Sequence, residues 1–403
     1  MNSVLFVDDE AAILDALRMR LRPMRTKWDM KFVDSGGLAL QALQQAPFDV
    51  IVSDVRMSGM QGTRLLKTVS ERWPATTRIA LSGLVDPSEA LQLAPIAHRF
   101  LSKPCEASVL EETIERCIAL RTLLRSPALL AIAGRIRKLP ALRGTYDSLQ
   151  SAMLRENVTA HEIAALVNKD TVIAAKVMQI VSSAFFRRGR RITNLEQAIT
   201  YLGFGAIRNL VLSAEVFGLW SDRAAGGRIN LQRLQQHALQ VVSVSDALAS
   251  NLPIGDEVAL AALLHDFGYW VLAHECPREL QRAHEFALAH SVPMRVAETE
   301  VIGASHAEIG AYLLGVWGLP ESVVEAIAFH HTPERIRQSE FDVLAALAVA
   351  QALAPADDTI AFDVPPPPDT TVDAAYLESV RCPFSWEEAA GLVSSRQPSS
   401  EEQ

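Results

Sequence analysis

Three carboxylates and one lysine near the start of the chain have the types and spacing to do chemistry together. Asp54 closes an apolar run, Phe48-Asp49-Val50-Ile51-Val52-Ser53-Asp54, and a loop of turn residues follows, Met57-Ser58-Gly59-Met60-Gln61-Gly62. An earlier run, Val4-Leu5-Phe6-Val7, ends in Asp8-Asp9, and a later one, Arg99-Phe100-Leu101-Ser102, ends in Lys103-Pro104. Each run reads as a buried strand. Open α/β sheets bind ligands beyond the C-terminal ends of such strands. A carboxylate is a poor nucleophile toward phosphorus unless the phosphoryl charge is neutralised, and a hard Mg²⁺ ion with oxygen ligands does this. Asp9 and Asp54 could supply side-chain oxygens, Asp8 could act through water, and the backbone carbonyl of Arg56 could complete the set. Lys103 would offer a point charge to a phosphoryl oxygen, and Ser82 a hydrogen bond to another. The expected chemistry is phosphoryl acceptance at Asp54. A lone aspartate after a strand is usually a turn former; it is the ordered set that argues otherwise.

A second group of reactive side chains lies further along. His265-Asp266 follows Leu263-Leu264, His306 lies in Ser305-His306-Ala307-Glu308, His330-His331 follows Phe329, and His237 lies upstream. Histidine and aspartate at helix ends can gather a metal ion, which could activate water for phosphoester hydrolysis. The plainer alternative is structural. His306 would only shape a helix start inside a capping box, and His265 and Asp266 would pair as a buried polar remnant. Arg187-Arg188-Gly189-Arg190-Arg191 could hold phosphate groups, but it reads first as a solvated loop.

The elements that must position these groups fall into two kinds. Strands are expected at Val4–Val7, Lys31–Val33, Val50–Ser53, Ile79–Ser82 and Phe100–Ser102. Helices are expected between them, Pro87–Leu93 included, with a closing amphipathic helix over Val109–Leu124. Alternation of this kind predicts a parallel sheet covered on both faces. From Ser126 the strand signal disappears and capping boxes recur at Thr159–Glu162, Thr193–Glu196 and Ser305–Glu308, which predicts an all-α region to about Ala354. Pro365–Pro368 breaks helix, a short apolar segment spans Tyr376–Leu392, and Ser394–Gln403 reads as a disordered tail.

The bulk numbers fit this division. A chain of 403 residues, 49% hydrophobic and 21% charged, has two or three domains and sizeable cores. The net charge of -9 argues against a broad nucleic-acid footprint. Four cysteines without CxxC spacing read as thiols in a reducing cytosol. Neither a signal peptide nor a membrane span is expected, so the chain is expected to be cytoplasmic.

Asp8-Asp9, Asp54 with Met57 and Gly59, Leu81-Ser82-Gly83, Phe100 and Lys103-Pro104 together resemble the receiver domain of two-component response regulators. The resemblance spans residues 1–124 and implies a doubly wound, five-stranded flavodoxin-like fold. It implies that a sensor histidine kinase phosphorylates Asp54, and that Ser82 and Phe100 act as the switch. Ser58 and Gln61 depart from the family pattern without removing a catalytic group. Residues 125–335 resemble the all-α HDOD domain, a relative of HD phosphohydrolases. The motifs are Leu139-Pro140, Asn168-Lys169-Asp170, Ser182–Phe186, Ala198–Gly203, His265-Asp266, Trp317–Pro320 and Phe329-His330-His331. That resemblance implies a non-enzymatic module that engages a downstream signalling protein, and no second metal; recurring apolar residues would allow homodimerisation through the receiver or linker helix. His237, His265, Asp266, His306, His330 and His331 would be a degenerate HD site. Tyr269, Thr332-Pro333 and Gln351 stand where active HD enzymes carry lysine, glutamate and aspartate. The alternative is a receiver-regulated, metal-dependent phosphodiesterase acting on cyclic di-GMP or a nucleotide. Residues 336–403 would be a helical extension and tail.

Overall fold

A computed structural model describes residues 1–83, 93–124, 126–136, 139–141, 143–153, 155, 157–184, 192–212, 217–219, 230–249, 252–336, 340–354, 362, 364, 367, 372 and 374–396. Five strands form one parallel sheet in the order β2-β1-β3-β4-β5: β1 (Asn2–Val7), β2 (Trp28–Val33), β3 (Val50–Asp54), β4 (Thr77–Ser82) and β5 (Arg99–Ser102). Every residue of β3 and β4 is buried, as expected of strands covered on both faces. Helices Ala11–Arg20, Gly36–Gln45, Gly62–Arg72 and Ala107–Leu120 cover the sheet.

Register aligns the reactive ends. Val7 pairs with Ser53, Asp54 with Leu81, and Ser82 with Ser102. The residues just past these pairs, Asp8 and Lys103, therefore emerge at one edge beside Asp54. The doubly wound receiver fold expected from the sequence is present. β2 begins at Trp28, three residues before the expected Lys31, because its exposed Asp29 and Lys31 alternate with inward residues on the sheet's outer strand. The closing helix ends at Leu120, not Leu124, and Arg121–Leu123 continue as a turn. Of the expected helix Pro87–Leu93, only Leu93 lies among the described residues.

Beyond residue 126 the chain is mostly helical. One difference from the all-α expectation is a short parallel pair, β6 (Leu139–Ala141) with β7 (Phe217–Leu219). Strands of three residues are too short to leave a period in the sequence. Six helices surround the histidines: Leu231–Ala249, Gly255–Leu264, Phe267–Glu275, His306–Trp317, Glu321–Phe329 and Val343–Leu353. Helix His306–Trp317 is buried at all but one position, and Val343–Ala350 is buried throughout. Such all-round burial is the signature of a central helix. The extension supplies helices Ala374–Ser379 and Trp386–Arg396, the second packed on Leu231–Ala249. Helix thus continues three residues into the segment read as a tail; the remaining tail and the Arg187–Arg191 cluster lie outside the described residues. Among the described residues no helix is long and apolar enough to cross a membrane.

Candidate functional site

Asp8, Asp9 and Asp54 bring carboxylate oxygens within 4.8 Å of one another. The Lys103 ammonium bridges two of them, 2.7 Å from Asp8 Oδ2 and 3.0 Å from Asp54 Oδ1. The backbone orients each acid. Val55 N–H donates to Asp54 Oδ1 at 2.9 Å, Ser58 N–H to Asp9 Oδ2 at 2.7 Å, and Glu10 N–H to Asp8 Oδ1 at 3.0 Å. Lys103 is placed by its own N–H, which donates to Ser82 O at 2.6 Å. Gly62 lets its helix start directly against the end of β3, since a Cβ there would fall 1.7 Å from the Asp54 carbonyl oxygen.

Electrostatics separates the acids. The Ser58 N–H holds Asp9 below the usual carboxylate range. Burial pushes Asp54 up, and Lys103 only partly offsets it. Burial acts to lower Lys103, but Asp8 and Asp54 outweigh it and raise the amine. Three clustered acids offering oxygen donors beside the Lys103 ammonium fit a hard dication. Asp8, Asp9, Asp54 and the Arg56 carbonyl are the groups that would hold Mg²⁺. Ser82 and Phe100, the expected switch pair, are both fully buried, Ser82 at the end of β4 and Phe100 within β5.

All six predicted histidine-site residues come together in the helical region. His265 closes helix Gly255–Leu264, and Asp266 precedes the next helix without capping it. Asp266 Oδ2 is 3.2 Å from His265 Nε2, and its Oδ1 is 3.4 Å from His306 Nε2 and 4.0 Å from His330 Nε2. His306 Nε2 and His331 Nε2 lie 3.0 Å apart. The His237 ring centroid is 5.3 Å from that of His265. The expected Ser305–Glu308 capping box is formed. His306 nevertheless does more than start a helix, because both its N–H and its Nδ1 lie 2.8 Å from Glu298 Oε2.

Burial works against charge on Asp266, yet His265 and His306 hold its carboxyl well below the usual range. Burial likewise opposes charge on His306, but Glu298 and Asp266 raise it to about 10. Burial, reinforced by the neighbouring imidazoles, lowers His330 to about 3 and pushes His331 well down.

Sequence reasoning missed Glu298, which is wholly buried behind His306. It also missed that Tyr269 stacks on His306, with centroids 4.0 Å apart and planes at 15°. A further surprise lies where the sheet meets the helices. Arg78 donates to Gly134 O at 2.8 Å, Arg116 donates to Leu319 O, and Gln179 donates to Ala94 O at 3.4 Å. Lys176 is buried there with its ammonium 4.2 Å over the Trp317 ring. An acid or base inside an apolar helical pattern reads as a solvent-facing position, so no local signal marks these residues.

Comparison with known proteins falls along the same division. The family model of the response regulator receiver domain matches residues 4–115, and that of the HDOD domain matches residues 139–333. An uncharacterized protein of Treponema pallidum (strain Nichols) is 27% identical over 317 residues, covering 73% of this chain and 60% of that protein. The response regulator protein PilR of Pseudomonas aeruginosa is 24% identical over 268 residues, covering 66% of this chain and 56% of PilR. The chain thus spans little more than half the length of these relatives. Among solved structures, the MmoQ response regulator of Methylococcus capsulatus str. Bath is 21% identical with a TM-score of 0.49, covering 64% of this chain and 98% of MmoQ.

Proposed function

The chain joins a response regulator receiver domain to an HDOD domain, and on that premise we propose that it is a phosphorelay output protein whose Asp54 accepts a phosphoryl group from a sensor histidine kinase. The observation that carries this is the Lys103 ammonium held between Asp8 and Asp54 at 2.7 and 3.0 Å, with Asp9 alongside. Asp54 is the nucleophile. Its Oδ1 is fixed by Val55 N–H and Lys103, and Lys103 is positioned to hold a phosphoryl oxygen as charge is transferred. Bound Mg²⁺ would supply charge neutralisation for the incoming phosphoryl group.

The HDOD module would act as the listener, through protein contact and not turnover. Support for this comes from the junction, where Arg116, on the closing helix of the receiver, bonds Leu319, and Arg78 of β4 bonds Gly134. A change at Asp54 therefore has a bonded route, through β4 and its neighbours, to the helical surface that would meet a downstream signalling protein. Incubation with acetyl phosphate and Mg²⁺ tests the input. We expect an acid-stable, base-labile adduct that Asp54→Ala removes. An adduct that never forms, or that survives Asp54→Ala, sinks the reading. Pull-downs comparing the phosphorylated and unphosphorylated protein test the output, and capture that ignores phosphorylation would exclude a relay.

A further inference from the structure

Four helices of the HDOD region enclose a groove of about 350 Å³, none of whose lining residues belongs to the histidine cluster. Its sides come from Ala160–Val167, Leu195–Leu212, Leu231–Ala249 and Gly255–Leu264. Ala164, Leu195, Leu260 and Leu263 form a buried floor, while Glu196, Asp246 and Asp256 stand exposed along the rim. Concave sites of this size, with an apolar floor and a few polar groups, hold small ligands or the anchoring side chain of a partner.

The rim carries one sign of charge. Among the described residues that line the groove there is no lysine or arginine. Helix capping does not account for the acids. Asn194 does the capping expected of Thr193, its Oδ1 accepting from Gln197 N–H at 2.8 Å. Glu196, expected to close that capping box, instead places Oε2 3.3 Å from His161 Nδ1 on a neighbouring helix. Asn194 Nδ2 also donates to Asp256 Oδ2 at 2.9 Å, so one side chain ties the starts of two helices together at the rim. Glu196 and Asp256 lie in first turns, where the helix dipole favours an acid. Asp246 lies in the last turn of Leu231–Ala249, where the dipole opposes one. A cation at the rim would relieve that opposition and the mutual repulsion of the three acids.

We propose that this groove is the docking site for an arginine side chain of the downstream protein, with the alkyl stem on the floor and the guanidinium between Glu196, Asp246 and Asp256. The inference rests on the reading of the helical region as a protein-contact module. Long basic side chains lay their stems on apolar surface and keep their heads at a polar edge, which is the division this groove offers. The three carboxylates come from three different helices, and a guanidinium has a fork of five donors to meet them. Asn168 and Thr193 add polar groups to the lining that suit the peptide amides on either side of the arginine.

The test uses the full-length protein with leucine and valine methyls labelled for NMR, and N-acetyl-arginine N-methylamide as the probe. We expect saturable shifts at Leu239, Val242, Leu260 and Leu263, which line the groove. The citrulline counterpart keeps the shape and loses the charge, and should bind about tenfold more weakly. Agmatine keeps the head and stem without the peptide groups, and should also bind more weakly. Glu196→Gln combined with Asp246→Asn should weaken the arginine probe about tenfold. Raising the salt about tenfold on the unaltered chain should weaken the arginine probe and spare the citrulline one, which reads the same charges should the variant misfold. Asp54→Ala should change none of this, so the groove and the phosphoryl site fail independently. Equal binding of the arginine and citrulline probes overturns the proposal. So does agmatine binding more tightly than the arginine probe, which would make the groove a site for a free amine. Arg190→Gln combined with Arg191→Gln also overturns it if the probe tightens about tenfold, because the chain's own arginines would then fill the groove.

Discussion

With Asp8 at 2.7 Å and Asp54 at 3.0 Å, the Lys103 ammonium is the positive charge that lets two buried carboxylates share one sheet edge. Without it they repel each other, and burial already pushes Asp54 up. Breaking a fully buried ion pair costs about 3–5 kcal/mol. The Lys103 side chain is 20% exposed, so screening reduces the expected loss for Lys103→Met to about 1–3 kcal/mol. The proposed Mg²⁺ would replace the missing charge. Urea unfolding should therefore show a larger Mg²⁺-dependent gain in Lys103→Met than in the unaltered chain. Equal gains would mean that Lys103 and the ion do not answer the same charge. The same variant should accept phosphoryl groups poorly, because the point charge on the transferred oxygen is gone.

The receiver elements were legible because of where their residues are buried. β3 and β4 are covered on both faces, so they stand out as unbroken apolar runs, and a charge at the end of such a run marks a sheet edge. The histidine pairs were legible as motifs, but their partners were not. Glu298 lies eight residues before His306 in a separate helix, Met294–Val301, and only the turn through Gly303 brings them together. The close approach of Phe267–Glu275 to His306–Trp317 was equally hidden. A Cβ on Gly268 would fall 1.9 Å from the His306 carbonyl oxygen, and backbone cannot yield as a side-chain tip can. Gly268→Ala must therefore move apart the two elements that carry Asp266 and His306. We expect a loss of about 1–3 kcal/mol from overpacking, seen as a lower melting temperature. An unchanged melt would show that the helices are not packed as described.

At the scale of the whole molecule, several buried cations lie where receiver and helical region meet. Arg78, Arg99 and Lys176 are each at most 2% exposed. The guanidinium of Arg99 lies where a Cβ on Gly318 would touch it at 2.9 Å. Such residues cannot be placed from a sequence, because their burial depends on two distant segments meeting. Lys176 makes the junction sensitive to pH. Burial lowers its amine to about 7 from the ordinary 10.5. Between those values the unfolded chain holds a proton that the folded chain does not, so stability rises with pH across this window. Below about 7 both states are charged, and the folded chain bears the full penalty of a buried ammonium, relieved in part by the Trp317 face and by Gln179 Oε1 at 3.1 Å. Lys176→Met keeps the stem and removes the charge. It should raise stability on the order of 2 kcal/mol at pH 6, and the advantage should shrink steadily as pH climbs from 7 towards 10. Urea midpoints of both proteins at pH 6, 8 and 9.5 measure this directly. Parallel pH profiles would show that the amine is solvated in the folded protein, and that the two regions open at the junction.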